Sequence, residues 1–110
     1  MTESLLRRFT LVAGQVGSIL NRTDLDLMDR TQLRLSGTIK HLLADTRLDI
    51  RDWEMADSRQ EMEQSSKQAL LHLRQVREVM LQASETNLFS AIDIAEISAQ
   101  FDLFATELRG

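Results

Sequence analysis

The chain contains no cysteine and no proline, and only 4 of its 110 residues are glycine. The missing thiols exclude disulfides, thiolate-bound metal and a cysteine nucleophile. Proline breaks helices by removing an N–H and clashing with the preceding turn. With none present, and with Leu, Ala, Gln, Glu and Arg abundant, helix is favoured throughout. Aromatic residues make up 5%, and no stretch alternates apolar and polar residues for long, so no sheet is expected. No apolar run reaches the roughly 18 residues that a membrane-spanning helix needs. Glycine-rich phosphate loops and a serine in a nucleophile elbow are also missing.

What is present is globular in composition: 43% hydrophobic and 27% charged residues, unlike the apolar-poor signature of disorder. A chain of this length suits one domain, residues 1–110. The net charge of −4 is unevenly spread. Residues 1–44 hold six basic and four acidic residues, while residues 45–110 hold seven basic and thirteen acidic. That distribution offers no concentrated basic face, so nucleic-acid binding is not expected. A basic half and an acidic half do suit head-to-tail or antiparallel association. Arg7 and Arg8 precede an apolar stretch over residues 9–20, a superficial likeness to a secretion signal. Gln15 interrupts the stretch, no small-residue cleavage site follows, and the same residues carry an amphipathic pattern. A cytoplasmic protein is therefore expected, with no membrane partner.

The pattern predicts an all-α antiparallel bundle of three or four helices with coiled-coil-like seams, over about residues 3–20, 27–45, 49–84 and 91–108. In the first helix, Leu5, Phe9, Val12, Val16 and Ile19 recur four and three apart, on one face. Leu6, Ala13 and Leu20 widen that face, as in a bundle, and Thr2 is the expected N-cap. Residues 21–24 read as a loop. The second helix is expected near Leu27, capped by Asp26, with Asp29 in its first turn. Met28, Leu35, Ile39, Leu42 and Leu43 form its apolar face, and Gln32 interrupts it.

Residues 45–68 are rich in charge and sparse in apolar side chains. A break near residues 45–49 is expected, capped by Thr46 or Asp49, because Ile50 and Trp53 are out of phase with the apolar residues of the third helix. That helix carries the longest ladder: Met62, Ser66, Ala69, Leu73, Val76, Met80 and Ala83. It should end near Asn87, in a left-handed cap. The fourth begins with a capping-box variant, Ser90 and Asp93, with Phe89 and Ile94 as a hydrophobic staple. Ile94, Ile97, Phe101, Phe104 and Leu108 complete its seam.

Several apolar residues fall off these seams: Leu11, Leu33, Leu71, Leu81, Ile92 and Leu103. A second apolar face on a helix normally means a second packing neighbour. A third helix of about 35 residues would also be roughly 50 Å long, too long for the first and fourth to cover. Both points predict a protein partner, most simply a second copy in a homodimer. The expected partner-binding residues are the six above with Ile50 and Trp53, Trp being enriched in binding hot spots. Gly14 and Gly17 lie opposite the first seam and mark either a close helix approach or an exposed face.

Chemistry is not expected. Neither His41 nor His72 follows a glutamate by three residues, as a bundle di-metal site requires. His41 and Asp45 supply too few ligands by themselves. The acidic cluster Asp24, Asp26 and Asp29 lacks the central glycine and spacing of a calcium loop. No catalytic, cofactor-binding or metal-ligating residue is therefore expected, and no cofactor. The composition suits an adaptor, assembly factor or small chaperone. Its rival is a ligand-binding or sensory bundle with an apolar pocket lined by Phe9, Phe101 and Phe104.

Overall fold

The computed structural model describes residues 4–110 and, of Leu25, the backbone alone. It has four α-helices: α1 (Leu5–Leu20), α2 (Arg30–Glu54), α3 (Arg59–Ser84) and α4 (Ala91–Arg109). A 3₁₀ turn, Leu25–Leu27, precedes α2, and no strand occurs among the described residues.

Cross-helix bonds fix the topology. Leu6 N–H of α1 donates to Glu54 Oε1 at the far end of α2, while Lys40 Nζ reaches back to Asn21 Oδ1. Gln32 of α2 donates to the Thr86 carbonyl just past α3, and Asp49 pairs with His72. Arg77 of α3 bonds Asp102 of α4, and Ser66 bonds Leu108. Arg8 of α1 meets Glu107, and Arg22 meets Asp93. In each pair one residue number rises as the other falls, so every neighbour is antiparallel. The helices form a ring in which α1 closes on α4, the sparsest of the four contacts. The whole is a rod of 47 × 25 × 17 Å.

The periodic residues make the core. Leu5, Phe9, Val12, Val16 and Ile19 are buried, as are Leu35, Ile39 and Leu43, and Ile97, Phe101, Phe104 and Leu108. On α3 the ladder is buried from Ser66 to Ala83, and only Met62 lies outside it. Phe9 packs on Phe101 at 6.5 Å between ring centroids and meets Phe104 edge-on at 5.8 Å. Met28, Leu88 and Phe89, in the connections, are also buried and plug the end where those connections lie.

The boundaries differ from expectation in instructive places. The expected start of the first helix and its Thr2 cap lie outside the described residues; Ser4 caps α1 by accepting from Arg7 N–H at 3.1 Å. Asp26 is not the cap of α2. Asp29 is, in a full capping box with Gln32. Gln32 thus closes the box and donates to Thr86, and so does not simply interrupt the apolar face.

The expected break at residues 45–49 is absent, because α2 runs to Glu54. Thr46 is a fully buried rung of its seam, with its hydroxyl donating to the Leu42 carbonyl at 2.7 Å. Seam continuity through Ile50 outweighs the surrounding charge. The chain turns at residues 55–58, and Ser58 caps α3 by accepting from Glu61 N–H at 3.1 Å. No 35-residue helix therefore exists. The long helices have 25 and 26 residues and pack as a matched hairpin, so helix length no longer argues for a partner.

The exit from α3 matches the expected left-handed cap. Asn87 has φ 67°. Leu88 N–H donates to the Ala83 carbonyl and Asn87 N–H to the Ser84 carbonyl, each at 3.2 Å. These are the paired bonds of a Schellman ending. The capping box of Ser90 and Asp93 is formed as the sequence suggests.

Candidate functional site: the groove between α1 and α4

Where α1 and α4 meet they leave an open channel along the rod. Its wider part is lined by Gln15, Ser18, Ile19 and Arg22 from α1 and its exit, and by Asp93, Glu96, Ile97, Ala99 and Gln100 from α4. It continues past Gln15 and Gln100 to Arg8, Leu11, Val12, Leu103 and Phe104. Small and polar residues on the facing edges explain the gap: Ser18, Ala99 and the two glutamines cannot interdigitate as the Leu, Ile and Phe residues beneath do.

Leu11 and Leu103 border this channel from opposite sides, and each is 59% exposed. Ion pairs bracket them. Arg8 Nη2 donates to Glu107 Oε1 at 2.6 Å near one end. Near the other, Arg22 Nη1 lies 3.4 Å from Asp93 Oδ2, a carboxylate that also accepts the Ser90 N–H of the capping box. The result is an apolar centre between charged ends. The strips differ in sign. Helix α1 carries Arg7 and Arg8 and no acidic residue. Helix α4 carries Asp93, Glu96, Asp102 and Glu107 against Arg109 alone.

The other expected partner-binding residues divide. Leu33 and Leu71 are 43% exposed, Leu81 51% and Ile92 70%, and all four lie outside the channel. Ile50 is fully buried, so it belongs to the core and offers no surface. Its position continues the α2 seam, which the expected break had hidden. Trp53 is half-buried against the core. It helps to line a recess with Met62, Leu70 and Leu108 at the end of α4, rimmed by Arg59, Lys67 and Arg109.

The polar candidates resolve into structural roles. His41 and Asp45 pair along the exposed face of α2 at 3.3 Å. Asp24 accepts the Asp26 N–H, and Asp29 caps α2. The pairing of His72 with Asp49, half-buried between α3 and α2, has no signature in local spacing. Among the described residues, no group of three or more His, Asp or Glu is placed to hold a metal ion. Phe9, Phe101 and Phe104 are buried against one another. They fill the interior that a pocket between helices would need. No helix among the described residues is long and apolar enough to cross a membrane. Beside Gly14 and Gly17, a Cβ would meet nothing within 4 Å.

Comparison with protein-family models, with curated proteins and with solved structures finds no match to this chain.

Proposed function

We propose that this chain is a non-enzymatic, cytoplasmic protein–protein interaction module of the adaptor, assembly-factor or small-chaperone kind, and that it self-associates. The observation that carries the reading is the exposure of Leu11 and Leu103 on opposite sides of one groove. Single exposed leucines are ordinary on protein surfaces. Two that flank an open channel between the least closely packed helices form an apolar site that another helix can fill. Leu33, Leu71, Leu81 and Ile92 add apolar surface on the other helices. Docking is helix on helix, in the manner of a coiled coil or a helix in a groove.

Sedimentation velocity across the micromolar range tests this reading. The wild type should sediment above its monomer mass of 12.6 kDa. A variant with all six exposed residues (Leu11, Leu33, Leu71, Leu81, Ile92 and Leu103) changed to Gln should be monomeric and equally helical, Gln being a good helix former. A wild type that stays at the monomer mass throughout overturns self-association.

A further inference from the structure

We propose that the occupant of the α1/α4 groove is a second copy of this chain, related by a two-fold axis parallel to the rod. Helix α1 of each copy then lies against α4 of the other. The proposal rests on the interaction reading above and adds the partner's identity and orientation.

Charge selects the arrangement. The groove face carries a basic strip, α1, beside an acidic strip, α4. Two such rods can meet face to face about two kinds of two-fold axis. An axis across the rods sets α1 on α1 and α4 on α4, so like charges confront each other. An axis along the rods sets each basic strip on an acidic one. Juxtaposed like charges oppose association, and complementary strips both steer and orient it.

Level along the rod selects the same arrangement. Leu11 and Leu103 line one stretch of the groove and so stand at the same height. Rotation about a parallel axis preserves height. Leu11 of one copy therefore meets Leu103 of the other, and the reverse, which gathers four leucines at the centre of the contact. Arg22, whose side chain is 66% exposed, comes level with the second copy's Asp93 and Glu96. The contact is self-complementary and closes as a dimer without exposing a further copy of the same patch.

The absence of cysteine makes a disulfide test clean. Leu11→Cys and Leu103→Cys are prepared separately, checked for helicity by circular dichroism, and oxidised alone and as an equal mixture. Both residues are exposed, so neither change disturbs the core. The expected result is little covalent dimer from either variant alone and abundant dimer from the mixture, with peptide mapping placing the bond between positions 11 and 103. Strong linkage within each variant alone means that α1 meets α1, and overturns the proposal. A wild type that self-associates while neither the variants nor their mixture cross-link places association on another face; this overturns the proposal and leaves the interaction reading intact. A monomeric wild type overturns both.

Discussion

Ser66 Oγ–H donates to the main-chain carbonyl of Leu108 at 2.6 Å, from inside the apolar ladder of α3 to the last turn of α4. The final four carbonyls of a helix have no partner within it, and this hydroxyl satisfies one of them from a buried position. The one polar rung of an otherwise apolar seam thus holds the end of a neighbouring helix. Ser66→Ala should lower stability by about 1 kcal/mol, read as a fall in urea midpoint with unchanged slope. Amides in the last turn of α4 should exchange faster. A gain in stability would show that the hydroxyl burdens the core.

Gly14 and Gly17 make the opposite prediction. Each sits inside α1, where glycine costs up to about 1 kcal/mol relative to alanine. The space beside each is open to at least 4 Å. Gly14→Ala and Gly17→Ala should therefore each raise the melting temperature and leave association unchanged. A drop in self-association would place a second backbone close to this side of α1.

Ile50 and Trp53 should separate sharply. Ile50 is fully buried midway between Thr46 and Trp53 on the α2 seam, and Ile50→Ala should cost about 3 kcal/mol, within the usual range for a buried aliphatic truncation. Trp53 keeps part of its surface in solvent, so Trp53→Ala should cost less than a fully buried aromatic does. Urea unfolding of the two variants ranks them; equal losses would mean that the Trp53 environment is as closed as that of Ile50.

The two histidine–aspartate pairs offer an internal comparison. His72 and Asp49 join α3 to α2 with side chains about one-fifth exposed, whereas His41 and Asp45 lie along one exposed face. Double-mutant cycles to alanine should give a coupling near 1 kcal/mol for the first pair. For the second they should give about 0.3 kcal/mol. Similar values would mean that water screens both alike.

The core of this bundle is legible in the sequence because burial imposes the helical period. The ladder Ala69, Leu73, Val76, Met80 and Ala83 could be assigned a face from spacing alone, and all of it is buried. Boundaries were less legible because polar residues have two uses. Thr46 resembled a cap, but its hydroxyl bonds the carbonyl four residues back, which is how a threonine stays buried in a helix. Ser58 and Glu61 carried the capping-box spacing at the true start of α3, a signal outweighed by the expected break upstream. Asp29 and Gln32 did the same for α2. The meeting of Leu11 with Leu103 had no sequence signal, because it joins the first helix to the last. Only the closure of the ring sets their heights. The pairing of Asp49 with His72 was hidden for the same reason: it depends on the register of a hairpin whose turn lay elsewhere than expected.

Because each helix packs on the next in the chain, three of the four lateral seams can assemble by zipping outward from a nearby turn. The α1/α4 seam has no turn of its own. It alone carries the loop-closure entropy of the intervening helices, and it is the sparsest of the four. Loosening of the rod should therefore begin there, like a cylinder splitting along its weld, with the hairpin of α2 and α3 the last part to come apart.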